Sequence, residues 1–327
     1  MADPVCHPMQ AVLGGLLVAL ACGAYMLIVR QVLNPTAALA TIASGNLTTS
    51  GIACVVGLLG GGAVMGMLMP ETKFDEALTD PVRMLVAGLC TGFGANLADG
   101  TTCAHGICGI ARLSRASLAA TFTFVLTATL SAGMTAGDTF TTIKFIPLAP
   151  TPPTTLRIGA CLALALAANL PGAFLVRSQN TRQIYVSLWA GATYAIGMAV
   201  GGVTRPSVVL GALTPGRVDP TLWIFAASAI GGTFVLYRVA LYFYGIAEAR
   251  AADADGAAVN RQLILGAALF GTGWGHSGLS PAAHLTIVGS VPFAAHSGPM
   301  LATLGGVVAG VRFAAVIMPK RPRAKAQ

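Results

Sequence analysis

The chain has 327 residues, 55% of them hydrophobic and 9% charged. A soluble domain carries about 25% charged residues, so this composition excludes an ordinary water-soluble globular protein. The net charge of +8 lies between apolar blocks and forms no basic stripe, which points to membrane orientation and argues against nucleic-acid binding. The seven cysteines are an odd count without a C-x-x-C pair, so neither a disulfide framework nor a zinc site is indicated.

In chain order, residues 10–29 form a first apolar block, interrupted by Arg30, Gln31, Asn34 and Pro35 and followed by a shorter apolar piece, 36–43. No basic region of the signal-peptide kind precedes it. Residues 51–70 reach the ~20 residues needed to cross a bilayer, and the charged segment 71–83 follows. Met84 to Ser117 starts as a glycine-spaced apolar helix and turns polar at Asn96, Asp99, Thr101, Thr102, Cys103 and His105. It then resumes as a short helix ending at Arg112 and Arg115. A span at 117–136 leads into a Thr- and Pro-rich connector, 137–155, and a further span at 156–176. The second half repeats the pattern. Residues 184–202 break at Val203, Thr204, Arg205 and Pro206 and continue as 207–213. Residues 219–247 form a long span carrying Arg238. After the polar loop 248–261, residues 262–275 break from His276 to Pro281 and continue to Gly289, and the span 297–318 comes last.

One unit thus occurs four times, near 10–43, 84–115, 184–213 and 262–290: an apolar helix, a polar or proline break, then a short helix. Repeated broken helices of this kind mark many transporters and place the site at the repeat interface. The expected fold is an all-α polytopic membrane protein with repeated broken, re-entrant helices and an hourglass shape, with residues 1–150 as the first membrane half and 151–327 as the second. Taking each broken unit to enter and leave on one side, with the basic C-terminus cytoplasmic, puts Lys73, Arg83, Arg112, Arg115, Arg177, Arg182, Arg205 and Arg217 inside. Arg30, Lys144, Arg157, Arg250 and Arg261 then fall outside.

T-T-C-A-H-G-I-C-G-I-A-R-L-S (Thr101 to Ser114) resembles the G-C-T-S-G-H-G-x-C-G-x-x-R-x-S signature of the YeeE/YedE sulphur-transport family. In the second half, G-G-V-T-R-P-S-V-V-L-G-A-L (Gly201 to Leu213) is similar to that family's G-M-x-x-P-x-K-V-x-G-F-L. L-F-G-T-G-W-G-H-S-G-L-S-P-A-A (Leu269 to Ala283) is similar to its F-G-x-G-W-G-x-x-G-x-C-P-G-P-A. The resemblance implies a helical hourglass that takes up thiosulfate or a related sulfur species, handed between cysteines. Two departures stand out. Thr101 and Ser280 occupy family cysteine positions, while Cys103 occupies the serine position; Cys22 and Cys6 are candidates for the family's N-terminal cysteine. Hydroxyls donate better to oxyanion oxygens than to sulfur.

The expected substrate path is Asn96, Thr101, Thr102, Cys103 and His105 at one break, His276, Ser277 and Ser280 at another, and Arg205 at a third. Asp99 reads better as a helix cap than as an anion contact. Cys108 reads as packing, and His284 and His296 as weaker candidates than His276. No catalytic motif, metal-ligand spacing or cofactor motif occurs, so the chain reads as a permease and not an enzyme. The expected partners are the lipid bilayer, a small sulfur-containing anion and a cytosolic sulfurtransferase, with no nucleic acid. The expected place is the plasma (inner) membrane. Two further readings remain open: a membrane module of a persulfide relay, needing an accessible low-pKa thiol, and a channel for another small solute.

Overall fold

In the computed structural model, the residues described are 8–45, 47–68, 80–142, 159–160, 163, 167, 176–217, 219–244, 259–290 and 298–318. They form α1 (Pro8–Val29), α2 (Pro35–Ala43), α3 (Thr49–Leu68), α4 (Pro81–Leu97), a π-helix (Thr102–Gly109), α5 (Arg115–Thr142), α6 (Gln179–Val200), α7 (Pro206–Leu213), α8 (Thr221–Tyr244), α9 (Arg261–Ser277), α10 (Pro281–Ser290) and α11 (Gly298–Ile317). The four broken units fall where the sequence pattern puts them. The expected span at 156–176 lies almost wholly outside the described residues, as do His296, Cys6 and most of the two charged loops.

Local chemistry sets the helix boundaries. Asn34 accepts from the Ala37 amide at 3.0 Å ahead of Pro35, Asp80 from Val82 at 3.2 Å ahead of Pro81, and Asn260 from Leu263 at 2.8 Å. Each satisfies an amide that the first turn leaves orphaned, and proline costs nothing there because its missing N–H has no intrahelical partner. At the far end of α4, Asp99 adopts φ 57° and the Gly100 amide reaches back to the Ala95 carbonyl at 3.0 Å. Gly202 does the same at the end of α6, where the Val203 amide meets the Met198 carbonyl at 3.1 Å. Both are left-handed caps that satisfy the last carbonyls before the chain turns. Asp99 is exposed in this left-handed turn at the end of α4, whereas its sequence context puts it at the start of the following short helix, whose N-cap is Thr101.

Helices α1, α3, α5, α8 and α11 are long and apolar enough to cross a bilayer. On α5, Leu118, Phe122, Leu126, Leu130 and Met134 are all exposed, an apolar stripe with four-residue spacing of the kind that suits lipid. The opposite faces are small: glycine and alanine let backbones approach without lipid between them, the usual device where helix association gains no hydrophobic term.

The packing repeats with a twofold relation. Gly15 of α1 meets Phe225 and Ala229 of α8, and Gly23 meets Leu236, so these helices run parallel. In the corresponding pair, Gly57 of α3 meets Leu188 and Ala192 of α6, and Gly61 meets Ala195, again parallel. Likewise α4 runs parallel to α11 through Gly88 and Gly92, and α9 runs parallel to α5 through Gly271 and Gly275. Two antiparallel pairs lie across the relation: α1 with α6, where Gly14 faces Gly197 and Gly201, and α4 with α9, where Gly94 faces Gly266 and Phe270. Every one of these pairs joins the first half of the chain to the second, so the two halves interleave.

These registers overturn the expectation that the first broken unit enters and leaves on one side. α1 lies antiparallel to α6, which runs parallel to α3, so α1 and α3 run antiparallel, with residue 8 and residue 49 at opposite ends of the layer. The 22 residues of α1 therefore traverse it, being about 33 Å long, and the break at Leu33 dips back in before α2 returns to the start of α3. Consequently Arg30 does not lie opposite Arg182. Its neighbour Gln31 accepts a hydrogen bond from Gln183 at 3.4 Å, which places the C-terminus of α1 beside the N-terminus of α6.

Candidate functional site

The first two breaks meet each other. Thr36 at the start of α2 shares a hydrogen bond of 2.8 Å with Thr101, both hydroxyls buried. The Leu33 carbonyl, in the loop between α1 and α2, accepts from the Cys103 thiol at 3.6 Å and from the Cys108 thiol at 3.9 Å. Cys22, from the middle of α1, completes the group. The three sulfurs lie within 4.8 Å of one another, and all three side chains are buried. Cys22 precedes the end of α1 by seven residues, which puts the cluster about 10 Å inside that end of the layer.

The π-helix makes this arrangement possible. At 3.6 residues per turn, side chains five apart point roughly 140° away from each other. The wider π-helix bonds i to i+5 and stacks such residues, so Cys103 and Cys108 share a face. Gly109 lets the π-helix rest directly on Ser117 of α5. Tyr194 of α6 lies beside Cys103, and Tyr237 of α8 beside Cys108. Both rings are buried.

His105 is held from both sides. Its Nε2 donates to the Ala98 carbonyl at 2.9 Å, because a carbonyl can only accept, and in the neutral ring Nδ1 then accepts from the Ser117 hydroxyl at 3.1 Å. The ring also packs on Gly100, where an added Cβ would fall 2.7 Å from it. His105 thus ties the α4 cap, the π-helix and α5 together. Asn96 donates to the Val311 carbonyl of α11 at 3.0 Å and is only partly buried; Thr102 is half-buried at the start of the π-helix.

The other two breaks also meet each other. Gly278, with φ 68°, sits where an added Cβ would fall 2.9 Å from Pro206 Cα, so the end of α9 touches the start of α7. Arg205, 6% exposed, immediately precedes Pro206. The hydroxyls of this pair are occupied locally: Ser277 donates to the Gly273 carbonyl at 3.0 Å, and Ser280 accepts from the Ala283 amide at 3.3 Å as the cap of α10. His276 donates through Nδ1 to the Thr272 carbonyl at 2.9 Å. His284, ranked below His276 by sequence, is fully buried; its Nδ1 donates to Ser280 O at 3.0 Å and its Nε2 has no partner.

The structure therefore does not gather all the expected path residues at one level. Ala98, at the edge of the first elbow, lies against Gly266 of α9, whereas Ser277 comes eleven residues later on that helix. Thr101–His105 and Ser277–Ser280 are thus offset by about 16 Å along the α4–α9 pair, one elbow pair in each half of the layer. The cluster also holds residues that the sequence reading leaves outside the path, Cys108, Tyr194 and Tyr237, and Cys22, which is there only one of two candidates. An α-helical reading of 102–109 turns Cys108 away from Cys103, and no local signal joins residue 22 to either.

An all-helical, polytopic integral membrane protein with repeated broken helices and buried polar elbows is the architecture of a transporter. The chain is 33% identical over 121 residues to a protein of Xylella fastidiosa (strain 9a5c) described as a probable transporter, across 35% of this chain and 85% of that protein. It is equally similar to the probable transporter of Xylella fastidiosa (strain Temecula1 / ATCC 700964). It belongs to the family of these probable transporters. Residues 182–325 match a family of unknown function, DUF6691.

Proposed function

We propose that this protein is a permease of the YeeE/YedE type for a small sulfur-containing anion, thiosulfate being the first candidate. The observation that carries the reading is the cluster of Cys22, Cys103 and Cys108 at a break between helices, where the Cys103 and Cys108 thiols converge on one carbonyl. Neutral thiols are weak donors and soft contacts. They suit the terminal sulfur of such an anion, and they hold it loosely enough to release it. Cys22 and Cys108 beside Cys103 supply the thiols that Thr101 and Ser280 lack. Arg205 and the Ser277–Ser280 elbow form a second station in the opposite half of the layer, with Asn96, Thr101, Thr102, His105 and His276 shaping the elbows. The two membrane halves, near 1–150 and 151–327, are inverted repeats in this reading. Arg30, Arg112, Arg115, Arg177, Arg182 and Arg261 share the end that carries the C-terminus of α11, against Arg83, Arg205 and Arg217 at the other, where Asp80 and Asp219 also lie. The positive-inside rule makes the first end, and the C-terminus, cytoplasmic in an inner membrane, where a sulfurtransferase is the natural recipient. The test is uptake of radiolabelled thiosulfate into vesicles containing only this protein. Uptake that saturates, and that the triple cysteine variant lacks, supports the reading; vesicles that take up no thiosulfate above protein-free controls refute it.

A further inference from the structure

We propose that Cys22, Cys103 and Cys108 form a binding site for a trivalent thiophilic metalloid, with arsenite as the probe. This inference rests on the cluster itself and not on the transport reading.

Three ligand atoms within 4.8 Å of one another, each from a different turn of the structure, define a three-coordinate site. Among the described residues, the group contains no histidine or carboxylate to serve as a fourth ligand. That lack disfavours zinc, which takes four ligands in structural sites. Charge decides among the remaining soft ions. The site is fully buried, where an uncompensated charge costs several kcal/mol even after relaxation. Three thiolates around a monovalent copper would carry two negative charges, and around a divalent ion one. Around a trivalent centre they carry none. The reaction balances without an oxidant: As(OH)3 plus three thiols gives As(SR)3 plus three waters. Three S–H bonds break, three As–S bonds form, each thiol proton leaves in a water with an arsenic-bound hydroxyl, and arsenic stays trivalent.

The framework favours closure of the site. Cys103 and Cys108 already aim at one point, the Leu33 carbonyl, and ride on one face of the π-helix. Cys22 approaches them from α1, so small side-chain rotations bring the three sulfurs onto one atom. Cys54 and Cys90 stand outside the cluster and provide internal controls.

The experiment uses the purified full-length chain in detergent. Arsenite is added at a small excess, unbound arsenite is removed by gel filtration, and arsenic per chain is measured alongside maleimide labelling of each cysteine by mass spectrometry. One arsenic per chain is expected, with labelling of Cys22, Cys103 and Cys108 in the unfolded, non-reduced protein suppressed at least tenfold. The Cys22→Ser, Cys103→Ser and Cys108→Ser variants should each retain at least tenfold less arsenic. Cys54→Ser and Cys90→Ser should retain it as the parent does. Cys108→Ala serves as a second variant if Cys108→Ser elutes as aggregate. Failure of the folded parent to retain arsenic overturns the proposal, as does equal retention by a chain lacking all three cysteines.

Discussion

The thiols of Cys103 and Cys108 donate to one and the same acceptor, the Leu33 carbonyl, at 3.6 and 3.9 Å. Two residues five apart in sequence thereby share a target on a different element, and that target lies in the break between α1 and α2. The relationship locks the first broken unit to the second and places the elbow chemistry inside the protein. Polar backbone at membrane depth is tolerated only in such a place.

Removing these thiols tests the transport reading most directly. Cys103→Ala should lower thiosulfate uptake into vesicles at least tenfold, and the combination with His105→Ala should leave only the background of empty vesicles. Undiminished uptake by well-expressed, folded protein would remove the site.

His105 is expected to act by positioning. Its two hydrogen bonds, to Ala98 O and Ser117 Oγ, are each worth about 1 kcal/mol net. His105→Ala should therefore lower the thermal midpoint in detergent by several degrees, whereas His105→Gln, which keeps one donor and one acceptor, should recover part of the loss. A change in uptake with no change in thermal midpoint would instead show His105 contacting substrate.

The separation of the two elbow pairs can be read by cross-linking. In a chain without its native cysteines, Thr36→Cys with Thr101→Cys should form a disulfide under mild oxidation, because the two hydroxyls lie 2.8 Å apart. Thr101→Cys with Ser277→Cys should not, because about 16 Å of helix separates their levels and a disulfide needs Cα atoms within about 7 Å. Efficient cross-linking of the second pair would instead put both elbows at one level.

Close helix packing makes a stability prediction. An ideal Cβ on Gly92 of α4 collides with the Val307 backbone of α11, and backbone cannot rotate aside. Gly92→Val should cost about 1–3 kcal/mol by overpacking, seen as a lowered thermal midpoint. The same change at Gly60, whose Cβ position meets nothing within 4 Å, should leave it unchanged.

Much of this architecture is written locally. The apolar blocks, the proline and asparagine at 34–35, the Asp80–Pro81 start and the polar run from Asn96 to His105 each act over a few residues. The four broken units could therefore be placed from sequence to within a turn. The basic residues likewise announce a membrane orientation, though which charges share a face depended on helix direction. Sequence alone puts Arg30 and Arg182 on opposite sides, because nothing within α1 says that it crosses the whole layer before turning.

The sequence by itself determined a helical membrane protein with four interrupted units, because hydrophobicity, capping and proline act along the chain. Only the tertiary structure decided that Cys22 meets Cys103 and Cys108, and that the breaks pair first with second and third with fourth. Those outcomes turn on the π-helical winding of residues 102–109 and on glycine faces matched between helices far apart in sequence, as with Gly88 and Thr303. Such contacts are chosen by complementary surfaces, and no short stretch of chain encodes them.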